Sequence, residues 1–421
     1  MAERTQPMTT DTIEETQPPL DDLLSDQAVN DPRTYFKRLR DADPVYWNER
    51  WNGWVVTSYA DVAAGYRDHE RLSSDRFRGP FARDILASRS AYASLIEFMT
   101  KWMFTSDRPY HTHLRSLVNK AFTPSTVEVL RPRVRELVRS LAAPLAGQER
   151  VNFLADFAFP LPVIVIAEYL GLPPESRDEV KAWSDDLGAV IFVQGNNANR
   201  FAVAEQAMNN LVGLIRPIVR ARAREPRQDL ISAMVHTEVD GDRFTEEEIV
   251  ANAVLMVFAG HDTTMNLLAN GIVAFSAFPH QWDRLGRDPG LARTATEEIL
   301  RYDGPIKALA RWAREPFELG GKDVGQNDRV LLVMHAANHD PAFFDRPDLL
   351  DVARWPNRHL EFGQGIHTCL GAPLARLEAQ ETFAHLAKTF GSVQVLTKDL
   401  SYDPTVVSRS PRHLEVRLQQ R

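Results

Sequence analysis

The only cysteine of the 421-residue chain, Cys369, lies in a short segment with two glycines before it and one after it. The segment reads FGQGIHTCLG and spans residues 362–371. A single thiol excludes an intrachain disulfide, a CxxC redox pair and any metal site that needs several cysteines of this chain. Three roles remain for Cys369: a buried apolar side chain, a nucleophile, or a lone thiolate ligand of a metal.

The residues around Cys369 favour the metal ligand. Gly363 and Gly365 let the backbone turn sharply and approach a flat group, because they have no Cβ. Residues 370–386 predict a helix in which Pro373 is acceptable only in the first turn. Cys369 would lie at the positive end of that helix, which stabilises a thiolate, and a thiolate is the haem ligand that favours O–O cleavage. A structural core cysteine stays open, whereas a nucleophile needs a partnering base that the sequence does not single out.

A second set of reactive side chains lies in a long apolar helix predicted for residues 249–278. Thr245 and Glu248 form the pattern of a capping box, which predicts that this helix begins just after Thr245. The helix is apolar on nearly every side and therefore buried, so the carboxylate of Asp262 is costly there. Asp262 beside Thr263 indicates a site that passes protons. The structural alternative is a Thr263 hydroxyl bonded to a helix carbonyl and an Asp262 paired with a distant arginine.

Two further pairs have helical spacing. Glu298 and Arg301 are three residues apart, which suits a charge-assisted pair on one helix face. By itself this spacing indicates an ordinary surface pair. His111 and Arg115 are four residues apart, so both could contact one carboxylate.

The elements that must position these residues are mainly helical. Periodicity predicts helices at residues 131–145, 161–170, 175–191 and 202–224. Strand-like patches occur at residues 45–47, 54–57, 317–319 and 329–334. No linker, repeat or low-complexity tract divides the chain. We therefore expect one mainly α domain with a minor β portion, residues 26–421, after a disordered tail, residues 1–25.

Composition excludes several classes of protein. The chain carries 49 basic and 57 acidic residues, a net charge of −8, which gives no electrostatic support for nucleic-acid binding. The apolar helix is interrupted by Gly260, His261 and Asp262, so we expect a core helix and no membrane span. A lone thiol is consistent with a reducing compartment, and no secretory signal is visible, so we expect a cytoplasmic protein.

Several motifs of this sequence resemble those of one family, the cytochrome P-450 haem-thiolate enzymes. The segment 362–371 resembles the haem-binding signature, and EILR at 298–301 resembles the Glu-x-x-Arg motif. AGHDTT at 259–264 resembles the oxygen-activating helix segment, and AANHDP at 336–341 resembles the passage before the cysteine loop. Their order and spacing also match. The resemblance implies a helix-rich P-450 fold with haem b between two internal helices.

The resemblance also implies roles for individual residues. Cys369 would be the axial iron ligand, Thr263 the hydrogen-bond partner on the oxygen side, and Asp262 the acid that relays protons. The haem propionates would be held by a set of basic residues: His111, Arg115, Arg311 and His367. The cysteine loop would be held by a buried structural set with no catalytic role: Glu298, Arg301 and Arg354.

The resemblance further implies an apolar substrate cavity. Its expected lining residues are Phe77, Phe81, Phe98, Phe192, Val257, Leu309 and Val407. Lys307 would also face the cavity, where its amine could anchor a carboxylate of the substrate. The alternative is a lysine whose amine reaches solvent.

These roles imply a monooxygenase that uses O₂ to hydroxylate, epoxidise or dealkylate a small, mostly apolar molecule. The chain has no GxGxxG fingerprint and too few cysteines for an iron–sulfur cluster, so its electrons must come from another protein. The resemblance implies a ferredoxin or flavodoxin with an NAD(P)H-dependent reductase, and Arg108, Lys120 and Arg376 are candidate contacts. Two alternatives stay open: a peroxide-driven peroxygenase, and a haem-based ligand sensor or carrier without enzymatic activity.

Overall fold

Helices make up most of the computed structural model, which describes residues 20–77, 92–191 and 199–421. In chain order the helices are α1 Asp26–Asn30, α2 Pro32–Ala42, α3 Tyr59–Arg67, α4 Ala93–Met99, α5 Tyr110–Ala121, α6 Pro124–Glu128, α7 Arg131–Ala142, α8 Pro160–Leu170, α9 Arg177–Ile191, α10 Arg200–Arg224, α11 Leu230–His236, α12 Glu246–Ala277, α13 Pro279–Arg287, α14 Ala292–Asp303, α15 Met334–Ala337 and α16 Ala372–Thr389. The expected mainly α class is confirmed.

The strands are short and form small sheets. In chain order they are β1 Val45–Asn48, β2 Gly53–Val56, β3 Leu72–Ser73, β4 Val151–Asn152, β5 Glu238–Val239, β6 Asp242–Arg243, β7 Leu309–Ala313, β8 Phe317–Leu319, β9 Lys322–Val324, β10 Arg329–Leu332, β11 Phe390–Val395 and β12 Glu415–Gln420. The larger sheet has the order β1-β2-β10-β7-β3, and a second sheet has the order β11-β12-β4. In the larger sheet β7 runs antiparallel to β10, with Arg311 opposite Val330.

The elements predicted from periodicity are present, with ends that differ by a few residues. The predicted strand 329–334 ends at Leu332, because Met334 already begins α15. The predicted helix 370–386 begins at Ala372, since Gly371 is its N-cap, and Pro373 lies in its first turn.

The long helix α12 is the centre of the core. Its start has the predicted capping box, in which the Thr245 hydroxyl accepts from the Glu248 N–H and the Glu248 carboxylate accepts from the Thr245 N–H. At Gly271, a Cβ would lie 2.4 Å from the ring of Phe383 on α16. A larger residue would therefore push α16, the helix that follows Cys369, away from α12. Among the described helices, none is both long and apolar enough to cross a membrane.

The ordered domain begins earlier than the predicted boundary at residue 26. Leu23 is buried, and the Asn48 side-chain amide donates to the carbonyl of Asp21 at 3.1 Å. These contacts fix residues just before α1 on the sheet side of the domain, so the tail predicted for residues 1–25 is too long. Residues 1–19 lie outside the described part of the chain.

Candidate active site

A cavity of about 270 Å³ lies between α12 and the segment that carries Cys369. Its walls also include residues from 103–122 and 305–311. Cys369 is enclosed by protein, yet its surface is open to this cavity. The thiol and the middle of α12 therefore face the same enclosed space.

The cysteine loop owes its shape to hydrogen bonds and to one glycine. The Cys369 N–H donates to the Phe362 carbonyl at 2.8 Å, which closes the loop on itself. Gly365 has φ +75°, and a Cβ there would lie 2.7 Å from the carbonyl oxygen of Tyr66 on α3. Only glycine fits this position without strain, so the close approach of the loop to α3 depends on Gly365.

Opposing effects act on the thiol. Burial raises the pKa of Cys369, while the N–H groups of Gly371 and Ala372 and the guanidinium of Arg115 act to lower it. The N–H groups at the start of α16 therefore favour the thiolate, as predicted, but burial has the larger effect on the pKa of Cys369. Binding to a metal cation favours the thiolate and reverses this balance.

Four basic side chains line the cavity next to the cysteine loop: His111, Arg115, Arg311 and His367. The His111 and His367 rings are 4.2 Å apart between centroids. Burial lowers the pKa of His111 to about 4 and that of His367 to about 2, so both rings are neutral and donate through one N–H. The Nε2 atoms of both rings are buried, and no partner among the described residues satisfies them.

The two arginines of this set also lack acidic partners. Within residues 20–77, 92–191 and 199–421, neither Arg115 nor Arg311 forms an ion pair, and burial lowers the pKa of each guanidinium. Buried guanidinium groups are normally paired with anions. A ligand that brings carboxylates to this end of the cavity would satisfy both arginines and both imidazole nitrogens. Haem has two propionates, a flat apolar ring and an iron that takes one thiolate, so the residues present fit haem.

On the opposite wall, α12 exposes Thr263 to the cavity together with Ala259 and Gly260. The Thr263 hydroxyl donates to the Ala259 carbonyl at 3.0 Å. This is the helix bond that the structural alternative predicts, but the hydroxyl oxygen remains at the cavity surface and keeps its acceptor capacity.

Asp262 is directed away from the cavity toward α9. Its carboxylate lies 3.2 Å from Nε2 of His261, whose Nδ1 lies 2.8 Å from the Val257 carbonyl. One ligand atom each of Asp185, His261 and Asp262 lies within 4.8 Å of the other two. The partner of Asp262 is therefore a neighbouring histidine and not a distant arginine.

Asp262 and His261 each shift the pKa of the other toward the charged form. Burial acts to raise the pKa of Asp262, but His261 and Lys181 lower it below its usual value. Burial acts to lower the pKa of His261, but Asp262 raises it above its usual value. Exposure falls from Asp185, with 46% of its side chain exposed, through Asp262, at 21%, to His261, at 1%. Asp185 and Asp262 thus link the solvent to the buried ring of His261.

Glu298 on α14 is fully buried and accepts hydrogen bonds from several elements. Arg301 donates to both carboxylate oxygens at 2.8 Å, and Nε of Arg354 donates at 3.1 Å. The Asp351 N–H and the Asn357 amide each add a bond at 3.0 Å. Glu298 therefore joins α14 to the segment that precedes the cysteine loop.

Asn338 and Glu361 extend this network to the cysteine loop. Arg301 donates to the Asn338 carbonyl at 3.0 Å, and the Asn338 side chain accepts from the Leu360 N–H at 2.7 Å and donates to Glu361 at 3.3 Å. Glu361 lines the cavity and accepts from the Ile306 N–H at 2.8 Å. Burial raises the pKa of Glu361 well above its usual value. Neither residue was predicted as a site residue, although Asn338 lies within the AANHDP motif.

The predicted substrate residues divide into three groups. Leu309 lines the cavity. Phe77, Phe98 and Val257 are buried in the hydrophobic core and do not line it, nor does Val407, whose carbonyl accepts from the Lys307 N–H. Phe81 and Phe192 lie outside the described residues. The cavity has further apolar lining residues that are not among the named substrate residues: Met103, Phe104, Ile166, Leu255, Met256 and Phe258.

Lys307 follows neither of its two predictions. It does not line the cavity, and it is 1% exposed, so its amine does not reach solvent. Its N–H donates to Val407 at 2.6 Å and its carbonyl accepts from the His335 N–H at 3.0 Å, which holds the residue between two segments. Burial, together with Arg409, lowers the pKa of Lys307 to about 7. The expected anchor for a substrate carboxylate is therefore wrong.

The candidate partner contacts differ in availability. Arg376 pairs with Glu297 at 2.7 and 2.8 Å and its guanidinium lies 4.4 Å from the centre of the Phe362 ring. Lys120 donates to a carbonyl at 2.8 Å. The Arg108 side chain is 52% exposed and lies 3.7 Å from Glu70, which makes it the least constrained of the three.

Comparison with known proteins identifies the family. The chain is 34% identical over 397 residues to the biotin biosynthesis cytochrome P450 of Bacillus subtilis, which covers 93% of this chain and 97% of that protein. The chain belongs to the cytochrome P450 family. The family profile described as Cytochrome P450 matches residues 291–414. The vitamin D(3) 25-hydroxylase of Pseudonocardia autotrophica is 37% identical over 369 residues, 87% of this P450 and 88% of that enzyme.

Solved structures give the same result. P450BioI in complex with hexadec-9Z-enoic acid ligated acyl carrier protein matches with a TM-score of 0.85 and 32% identity, over 95% of this P450 and 100% of that chain. A Bacillus megaterium P450 in complex with testosterone matches with a TM-score of 0.80 and 29% identity, over 92% and 99% of the two chains. The P-450 fold is thereby confirmed, and the protein is a haem-dependent monooxygenase that uses O₂.

Proposed function

We propose that this P450 binds haem b through Cys369 and oxidises a small, mostly apolar molecule with electrons from a ferredoxin or flavodoxin and its NAD(P)H-dependent reductase. The observation that carries this proposal is that Cys369 and Thr263 line the same cavity. Haem supplies an iron centre that activates O₂, and a thiolate ligand favours cleavage of the O–O bond.

The basic residues at the cavity edge would hold the cofactor. Arg115 and Arg311 would pair with the propionates, and His111 and His367 would each donate one N–H. Among the described residues the two arginines have no acidic partner and the Nε2 atoms of the two histidines have no hydrogen-bond partner, and propionate carboxylates would supply both. Glu298, Arg301 and Arg354 would keep the cysteine loop in position through Asn338 and Glu361.

Thr263 and Asp262 would deliver protons. Thr263 presents a hydroxyl oxygen at the cavity, where it can accept a proton from one side and donate one to the other. Asp262 faces the solvent side through Asp185, so protons would reach it from outside without opening the substrate cavity to bulk water. To approach Thr263, the Asp262 carboxylate would have to break its ion pair with His261. Opening of this pair would therefore be part of proton delivery.

The substrate class is supported by the cavity walls and by the relatives. Apart from Thr263 and Thr264, the α12 side chains that line the cavity are aliphatic, aromatic or methionine, which suits an apolar ligand held by few polar contacts. The names of the relatives include a vitamin D(3) hydroxylase and a P450 bound to an acyl carrier protein that carries a sixteen-carbon acid. We therefore propose a substrate of steroid or long-acyl type, either free or attached to a carrier protein.

One experiment separates this function from its alternatives. The holoenzyme is incubated with testosterone or an acyl-carrier-bound hexadecenoic acid, NADH, ferredoxin and reductase under ¹⁸O₂. The proposal predicts a product with one ¹⁸O atom. A product formed only when hydrogen peroxide replaces the redox proteins would instead indicate a peroxygenase. Ligand binding without any product under either condition, across a panel of apolar compounds, would favour a sensor or carrier.

A further inference from the structure

Asn252 is a buried polar residue of α12 that the oxygen chemistry does not use. Its side chain is fully buried. Met256, Ala259 and Thr263, which line the cavity, follow it by about one, two and three helical turns and share its helix face. Asn252 itself is not a lining residue. It therefore lies on the cavity-facing stripe, just beyond the end of the cavity.

The Asn252 amide joins α12 to a neighbouring part of the cavity wall. Its Oδ1 accepts from the Met103 N–H at 3.0 Å, and its Nδ2 donates to the Lys101 carbonyl at 3.1 Å. Nδ2 also donates to the Glu248 carbonyl, one turn back in its own helix, at 2.9 Å. Only this orientation of the amide satisfies all three groups, because a main-chain N–H must donate and a carbonyl must accept. These bonds fix the rotamer of the Asn252 side chain. They also attach residues 99–107, the wall segment, to α12 at Lys101 and Met103, on either side of Trp102.

The wall segment presents Met103 and Phe104 to the cavity. It is stiffened from within, since the Thr105 hydroxyl donates to the Met99 carbonyl at 2.8 Å and the Ser106 hydroxyl donates to the Trp102 carbonyl at 2.6 Å.

A second anchor holds the far end of the wall segment. The Asp107 carboxylate accepts from the Ser74 N–H at 3.0 Å and pairs with Arg314 at 2.6 Å. A stiff segment held at both ends can change its distance from α12 only if one anchor is released. Asn252 is the anchor on the α12 side.

We propose that Asn252 is a positioning residue that sets the width of the substrate cavity by fixing Met103 and Phe104 relative to α12, and so selects the size of ligand that fits. This deepens the proposed function, because it assumes that the cavity takes an apolar substrate beside haem. Loss of the amide would leave the Met103 N–H and the Lys101 carbonyl buried without partners, and such groups move to find new ones. The wall segment would move away from α12 or become more mobile. The ligand preference of the cavity would then move from compact to bulky molecules.

The test compares two substitutions with a matched control. Asn252→Leu keeps the volume and removes all three hydrogen bonds, whereas Asn252→Asp keeps the acceptor for Met103 and removes the donor. The control is Asn270→Leu, because Asn270 is also fully buried on α12 but donates to the carbonyl of Arg409 at 3.0 Å, away from the wall. The probes are imidazole, 4-phenylimidazole and the triaryl azole clotrimazole, titrated into ferric holoenzyme by optical absorption.

The proposal predicts that imidazole affinity is the same in all four proteins. The ratio of clotrimazole to 4-phenylimidazole affinity should rise about fivefold or more in both Asn252 variants and stay unchanged in Asn270→Leu. Hydrogen exchange of the segment 99–107 should be faster in the Asn252 variants only. An unchanged ratio in Asn252→Asp, or an equal change in Asn270→Leu, would overturn the proposal.

Failure of the proposed function would give a different result. In that case wild-type protein would fail to bind imidazole with the spectrum of a thiolate-ligated haem. If Asn252→Leu does not fold with haem, the ratio of clotrimazole to 4-phenylimidazole affinity in Asn252→Asp and in Asn270→Leu still tests the proposal.

Discussion

Replacement of Glu298 by glutamine should be among the most destabilising single changes in this P450. Glu298 has no exposed surface and accepts hydrogen bonds from Arg301, Arg354, Asn357 and the main chain of Asp351. A glutamine keeps one acceptor oxygen but replaces the other with an NH₂ group, which is a donor and would face the donors of the two arginines. Removal of one partner of a buried pair costs about 3–5 kcal/mol, because the other charge stays buried without compensation.

A matched control is available on the surface. Glu247 also pairs with an arginine, Arg216, but the two side chains are 46% and 26% exposed. Solvent screens this pair, so Glu247→Gln should lower the free energy of unfolding by less than about 1 kcal/mol. Both variants are measured by urea unfolding of the holoenzyme, with far-ultraviolet circular dichroism and haem absorption as separate signals.

The double variant Glu298→Gln with Arg301→Met tests the cause. If the cost of the single change comes from the uncompensated Arg301 charge, removal of that charge should recover part of the lost stability. Equal stability losses in Glu298→Gln and Glu247→Gln would refute the reasoning. So would a double variant that is less stable than the single variant by the full cost of a second independent change.

Three further predictions concern the cavity and its titratable groups. Thr263→Ala should lower the product formed per NADH several-fold and raise peroxide release, whereas Thr296→Ala, at a buried threonine of α14 that does not line the cavity, should stay close to wild type; equal coupling in both variants would contradict the role of Thr263. The pKa of His261 is raised in the folded protein, so its stabilising pair is complete below the unfolded pKa of about 6.5 and is lost as pH rises through the folded pKa. The stability difference between wild type and His261→Gln should therefore be largest near pH 6 and shrink toward pH 9, and urea titrations that show the opposite trend would exclude the ion pair. The pKa of Glu361 is also raised, so wild type should lose stability as pH rises above about 4.5, and Glu361→Gln should remove that part of the pH dependence. Urea titrations in which wild type and Glu361→Gln change in parallel with pH would show that the pKa of Glu361 is not raised.

Local patterns in the sequence predicted the parts of the site that depend on neighbouring residues. The capping box of α12 and the start of α16 after Cys369 follow from residue types within one or two turns. The position of Thr263 on the oxygen side was implied only by the family resemblance. Arg354 was assigned to the Glu298 pair only through the family resemblance, because no local spacing connects residues 56 positions apart.

The sequence predicted the cavity lining less well, because a helix turns by about 100° per residue. Val257 was expected in the cavity, but its neighbours Met256 and Phe258 line it and Val257 packs in the core. A shift of one residue turns the direction of the side chain by about 100°, which is enough to move it out of the cavity wall. Lys307 was misplaced for a different reason: its main chain is held by Val407 and His335, which come from distant parts of the chain.

Asn338, Glu361 and Asn252 were missed for the same physical reason. Each makes its decisive hydrogen bonds across more than 20 residues of sequence. Gly304 illustrates the point, since a Cβ there would lie 2.2 Å from the Glu361 carboxyl carbon. The glycine and the buried acid fit each other, but nothing in their separate local sequences indicates it.

The reduced protein treated with carbon monoxide gives the most direct test that Cys369 is the iron ligand in this P450. Wild type should show the strongly red-shifted Soret band of a thiolate-ligated haem, and Cys369→His should show an imidazole-type band at shorter wavelength with the haem still bound. An imidazole-type spectrum in wild type, or a thiolate-type spectrum that survives Cys369→His, would contradict the assignment.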